Sequence, residues 1–246
     1  MTDRSTILRE MGLTPIWSLR AAAPQAAETA TEPRQAAPLA VEAPVALIEP
    51  AIAQPDPNRE ATIAGMSWDE LVNSIAKCTA CQLSKTRHKT VPGVGDHAPT
   101  WMVIGEAPGE NEDKQGEPFV GKAGQLLDAM LAAVGKKRAQ GVFIANVIKC
   151  RPPGNRNPES DEIAACAPYL KRQIALASPK LLLAAGKFAA QTLLNRDDTV
   201  GAMRASGGQF AGIPVVVTYH PSYLLRSPLE KAKAWEDLMK ARALVA

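Results

Sequence analysis

The spacing of apolar and polar positions changes period several times along the chain. From Trp101 to Ile104 four apolar residues run without a break and stop at Gly105, the pattern of a strand buried on both faces. Val142–Ile148 repeats it with one polar interruption at Asn146, and Lys180–Ala185 and Pro214–Thr218 supply two further strands. Between them the period lengthens to that of a helix. Leu127, Met130, Leu131 and Val134 share one face until Gly135 ends the pattern. Asn157 and Pro158 cap a helix carrying Ile163, Cys166, Leu170 and Ile174, which Pro168 is expected to bend. Lys187–Asn195 is another helix, and a last one runs from Pro228 with Trp235, Leu238 and Met239. Ahead of the first strand, Ser67 and Glu70 have the spacing of a capping box before Leu71, Val72 and Ile75. Strands alternating with helices predict an α/β fold, a three-layer α/β/α sandwich around a mostly parallel central sheet.

The N-terminal quarter has no such pattern. Between Ala21 and Glu60 about half the residues are Pro or Ala, aromatic residues are absent, and no apolar period lasts two turns. The expected organisation is a short helix within 1–20, a disordered Pro/Ala-rich linker at 21–63 and a folded domain at 64–246. Ser5–Arg20, with Ile7, Leu8, Met11 and Leu13, reads either as a segment that docks a replication or repair protein or as a helix folding back on its own domain. Charge divides at the same place. Residues 1–64 carry 5 Lys/Arg and 8 Asp/Glu, leaving 23 of the 28 basic and 17 of the 25 acidic residues to the remainder. A basic domain is compatible with a polyanionic partner. The first residues lack the apolar core of a signal peptide and no later run has the length of a membrane span, so the expectation is a cytoplasmic protein, by default a monomer, with no membrane partner.

Three regions carry candidate chemistry. Gly105–Leu127 reads GEAPGENEDKQGEPFVGKAGQLL, a strand feeding a glycine-rich, acidic loop and then a helix, which is how open α/β folds build a pocket at the carboxyl end of a sheet. It matches neither GxxxxGK[ST] nor GxGxxG, and its carboxylates Glu106, Glu110 and Glu112 would repel phosphates, so a nucleotide cofactor is a weak reading. The four cysteines, Cys78, Cys81, Cys150 and Cys166, comprise a CxxC pair, one at a strand end and one on an apolar helix face. Four thiolates suit tetrahedral zinc or an iron–sulfur cluster, and spacing alone does not choose; Cys166 could also be plain core. In the third region, His220 meets Pro221 and Ser222 where a strand ends, with Leu224, Leu225 and Arg226 beyond. Two leucines beside a cation suit a wedge entering a duplex, though both could simply begin the next helix. Asn146, a lone amide in an apolar strand, must find hydrogen-bond partners within the fold or on a ligand.

Three ordered segments, GEAPGENEDKQGEPFVGKAGQLLD, IANVIKCRPPGNRNP and TYHPSYLLR, together with the cysteines, resemble the family 4 uracil-DNA glycosylases, the iron–sulfur branch of that superfamily, over Ser67 to the C-terminus. The resemblance implies a [4Fe-4S] cluster on Cys78, Cys81, Cys150 and Cys166. It implies a DNA repair enzyme that flips uracil out of single- or double-stranded DNA and hydrolyses its N-glycosidic bond, leaving an abasic site. Residue by residue, Asn146 matches the amide that reads the base, Phe119 the ring that stacks on it, Glu112 a position near its C5 edge, and His220 the donor to uracil O2. Gly105, Ala107 and Ser222 are substrate-binding positions of the same motifs, and Leu224 and Arg226 those of the wedge. The better-known uracil glycosylases place an aspartate where Ala107 follows Glu106, so Glu106 or backbone groups must orient the water. A related branch traps uracil-DNA covalently through a histidine in the loop that here reads Arg151–Arg156 and holds none, which implies turnover. The competing expectation is a non-catalytic iron–sulfur module for DNA binding or electron transfer, which would not require His220 or Asn146.

Overall fold

The computed structural model describes residues 57–245. The segment Ser5–Arg20 and the linker up to residue 56 lie outside the described residues. The first element among the described residues is helix α1, Pro57–Gly65. Ile63 is buried in the core, and Lys171 pairs with Glu60 across to a later helix. Helix α2, Trp68–Lys77, starts with the capping box of Ser67 and Glu70 and buries Leu71 and Ile75, while Val72 faces solvent.

Six strands form one sheet in the order β1-β3-β2-β4-β6-β5. The four inner strands, β2 (Trp101–Gly105), β3 (Val142–Asn146), β4 (Leu181–Ala185) and β6 (Ile213–Thr218), are mutually parallel. Each edge carries a short antiparallel strand that the sequence pattern does not predict, β1 (Val94–Gly95) on β3 and β5 (Gly208–Phe210) on β6. The two faces of the sheet separate by the period of two that any strand imposes. Met102, Ile104, Phe143, Ala145, Leu182 and Ala184 point into one core layer with Leu71, Ile75, Leu170 and Ile174; Trp101, Val103, Val142, Ile144, Leu181 and Leu183 point into the other with Leu127, Leu131 and Leu238. Helices therefore cover both faces, as expected of a three-layer α/β/α sandwich.

The remaining helices are α3 (Glu110–Gln115), α4 (Lys122–Ala133), α5 (Ser160–Ala177), α6 (Lys187–Leu194), α7 (Val200–Ser206), α8 (Pro221–Arg226) and α9 (Lys231–Leu244). Helix α3 occupies what reads as loop in the sequence. Its sole buried side chain is Asp113, which accepts hydrogen bonds from the His88 backbone N–H (2.9 Å) and bonds His88 Nδ1 at 2.7 Å, tying the basic loop after the CxxC to the acidic one. α5 runs unbroken through Pro168. Among the described residues no helix is long and apolar enough to cross a membrane.

Candidate active site

Four chain segments meet at the carboxyl ends of the inner strands. Gly105 ends β2 and lies in register opposite Asn146, which ends β3; β6 ends at Thr218, two residues before His220. The register requires a glycine at 105: a Cβ there would stand 2.4 Å from Asn146 Oδ1 and 2.6 Å from Phe119 Cζ. A bare backbone thus lets an amide and an aromatic ring close on the same space.

That space is a cavity of about 240 Å³, walled by Glu106, Ala107, Glu112, Phe119, Asn146, His220 and Ser222 among the expected residues. Pro108, Gly109, Ala123, Pro152, Asn155 and Arg156 complete it and were not singled out from the sequence. Gly105 underlies it through the contacts just given. Asn155 and Arg156 belong to a motif already conspicuous for its Pro and Asn content, but what brings them to the wall is tertiary. Arg156 is held in a two-pronged ion pair by the buried Glu162 of α5, at 2.9 and 2.6 Å.

Phe119 is buried and its ring stacks on the imidazole of His220, centroids 5.5 Å apart and planes 29° from parallel. Glu112 Oε1 accepts hydrogen bonds from the N–H groups of Val120 (2.9 Å) and Gly121 (3.2 Å), so this carboxylate fixes the turn that presents the ring as well as lining the cavity. Asn146 is buried, and its Oδ1 has no hydrogen-bond partner among the described residues. A buried amide oxygen without a donor is uncommon and costly, and this one lines a cavity.

His220 is the N-cap of α8. Its Nδ1 accepts from the Ser222 backbone N–H (3.2 Å) and lies 2.7 Å from Ser222 Oγ. With Nδ1 an acceptor, the proton of the neutral ring sits on Nε2. Surrounding protein strips its hydration and the Arg226 charge opposes a second cation, which together push its pKa down to about 4, with Glu112 acting weakly in the other direction. The ring is therefore a neutral donor at physiological pH. Glu106 is half-buried, and loss of hydration raises its carboxyl above the usual range.

The wedge expected from Leu224 to Arg226 needs correction. The segment is helical, and successive residues of a helix diverge by about 100°, so Leu224 is fully buried against α4 and α9 while Leu225 is 44% exposed. Neither Leu224 nor Arg226 lines the cavity.

All four cysteines are free thiols and surround one small space together with Arg87, Lys149 and Tyr169. Arg87 Nη1 donates to Cys150 Sγ (3.2 Å), the Lys149 backbone N–H to Cys166 Sγ (3.3 Å), and Arg59 Nη2 approaches Cys78 Sγ at 3.7 Å. Burial raises the thiols of Cys81 and Cys150, and that of Cys166 to about 12. Among the described residues no three His, Cys, Asp or Glu side chains converge on a point suited to a single metal ion. Lys149, wholly buried beside the sulfurs, donates from Nζ to the backbone oxygen of Asn146 at 2.6 Å.

Residues 92–239 match the model of the uracil DNA glycosylase superfamily. Curated relatives include the type-4 uracil-DNA glycosylases of Pyrobaculum aerophilum, 41% identical over 70% of this chain and 92% of that protein, and of Archaeoglobus fulgidus, 39% identical over 71% and 91%. The type-4 uracil-DNA glycosylase of Thermotoga maritima is 39% identical over 70% and 91%. With the motifs converging on one cavity at the sheet's carboxyl edge and such similarity over 70% of its length, this chain belongs to the uracil-DNA glycosylase superfamily, in its type-4 branch.

Proposed function

We propose that the chain excises uracil from DNA by hydrolysing the N-glycosidic bond of deoxyuridine, the first step of base excision repair. The observation that carries this reading is the unpartnered Asn146 Oδ1 in a cavity shared with the Phe119 ring and the neutral His220 imidazole. A base flipped out of the stack enters the cavity and lies on Phe119, a contact worth about 1–3 kcal/mol. Asn146 Oδ1 accepts the N3–H of uracil and its NH₂ donates to O4. Cytosine presents an acceptor and a donor in the opposite order, so a fixed amide rejects it.

As the bond breaks, negative charge grows on the pyrimidine and positive charge on the sugar. His220 Nε2–H donates to uracil O2 and strengthens as that oxygen gains charge, the kind of donor whose removal costs about 10²–10³ in rate. Its neutrality matters. Nδ1 is occupied by the Ser222 N–H, so the ring offers its one proton to the substrate. Glu106, at the cavity wall, orients water toward the sugar and answers its developing charge; Ala107 beside it has no group to share the task. Leu225, exposed on the turn beyond His220, fills the gap the extruded base leaves.

The cysteines suit a [4Fe-4S] cluster. The test is the donor set: four sulfurs around one space, met by two guanidiniums and an ammonium that offset the negative charge of four thiolates. Bound by Cys78, Cys81, Cys150 and Cys166, the cluster would serve as a structural tie between the CxxC loop, the end of β3 and α5.

The deciding experiment incubates purified, cluster-loaded protein with a single strand carrying one uracil and cleaves the product with alkali. Strand scission at the uracil and release of free base are expected. Asn146→Ala and His220→Ala should each lose orders of magnitude in rate with the fold intact; an uncut strand in the wild type ends this reading.

A further inference from the structure

Phe119 has a φ of 56°, a left-handed backbone conformation that a bulky side chain adopts only where its surroundings enforce it. Three groups do so. Glu112 holds the N–H groups that follow, as described above. Gly124 of α4 lets the helix backbone press against the turn, since a Cβ there would meet the Phe119 oxygen at 1.7 Å. Arg138 holds the carbonyls: Nη1 donates to the oxygen of Pro118 and Nη2 to that of Phe119, both at 2.8 Å. The fork is aimed from behind, where Nε donates to Asp128 Oδ1 at 3.1 Å. A planar guanidinium meets two successive carbonyls and a carboxylate at once through donors held in a rigid fork. Arg138 comes from the connection between α4 and β3, outside every motif of the family resemblance, and its side chain is 22% exposed.

We propose that Arg138 is a positioning residue for the reaction, acting through Phe119 by fixing the backbone from which the ring faces the cavity. This rests on Phe119 being the stacking platform. Without the clamp the turn relaxes toward an ordinary φ and the ring leaves the height set by Gly105 and His220.

The test is a double-mutant cycle on uracil-containing single strands, with thermal midpoint and the inhibition constant of free uracil measured alongside. Arg138→Met should lower kcat/KM about 5- to 150-fold, the range set by losing the stacking contact, and weaken free-uracil inhibition by a similar factor. Arg138→Lys, which keeps the charge and three donors but not the rigid fork, should recover part of the loss. In a Phe119→Ala background, Arg138→Met should cost no more than threefold further. Full additivity of the two losses overturns the proposal. Wild-type kcat/KM in Arg138→Met does so as well. Phe119→Ala at the wild-type rate overturns the platform reading instead, and a wild-type protein that releases no uracil overturns the function reading. Should Arg138→Met fail to fold, Asp128→Ala frees the fork without removing it and should show the same non-additivity.

Discussion

The protonation state of His220 offers the sharpest check on the proposed chemistry. A donor that must be neutral cannot titrate in the physiological range, and its pKa is depressed from 6.5 to about 4, first by burial and then by the Arg226 charge. The sign follows from linkage. Between pH 6.5 and about 4 the unfolded chain binds a proton at this position that the folded chain refuses, so stability falls as pH falls through that window and is unaffected above it. At 1.36 kcal/mol per pKa unit the full difference is about 3 kcal/mol. Urea unfolding of the wild type and of His220→Gln at pH 7 and pH 4 should show the wild type losing about that much more than the variant. The chain has three histidines, so imidazole resonances can be assigned one by one. That of His220 should report a proton on Nε2 and no transition near pH 6.5. The uracil-release rate should likewise show no inflection there attributable to this ring. A His220 midpoint near 6.5, or a proton resting on Nδ1, would refute the reasoning, because the Ser222 N–H could then not be fixing the tautomer.

Other expectations follow from single distances. Gly105→Ala places a Cβ 2.4 Å from Asn146 Oδ1 and should cut kcat/KM at least about 100-fold, the scale of a 1 Å misplacement; circular dichroism should show the fold retained, and an active variant would mean the cavity is looser than the contacts imply. Asn146→Asp replaces the amide donor with a second acceptor, so uracil release should fall by about 10⁴ while cytosine-containing strands gain measurable cleavage. Comparing free-base release from the two substrates checks it, and equal losses on both would refute the reading of the amide. Cys150→Ser should bleach the brown colour expected of cluster-loaded protein. Because Lys149 joins the sulfurs to the Asn146 carbonyl, the same variant should also weaken inhibition by free uracil; a bleached protein with unchanged inhibition would separate the two sites.

How much of this was legible in the sequence depended on whether the information was local. Strand β2 was readable from four apolar residues and a glycine, and the cavity motifs from short segments at strand ends, because each places its chemistry within a few residues of a strand terminus. Strands β1 and β5, two and three residues long, cannot show a period of two and exist through pairing with β3 and β6. Helix α3, ENEDKQ, has no apolar face to read, and its fixed point is Asp113 turned inward to the His88 loop. Leu224 and Leu225 look alike in sequence, and only the helical turn starting at Pro221 sends one into the core and the other to solvent.

The same division runs through the site itself. Residues proposed to touch the base lie in contiguous motifs, since strand register and loop geometry bring neighbours in sequence to neighbouring points of one wall. Residues that hold those groups in place include ones outside the motifs: Arg138 reaches carbonyls 19 and 20 positions earlier, and Glu162 reaches Arg156. Their side chains carry ordinary identities, a cation or a carboxylate on a helix or turn, and acquire meaning only from partners the fold supplies. Phe119 joins the two classes. Its ring marks it in the motif as an aromatic among acids and glycines, whereas the φ of 56° that aims the ring is invisible until the groups enforcing it are seen together. A motif can therefore nominate the platform for a flipped base, but whether that platform stands at stacking height is decided by an arginine that no motif includes.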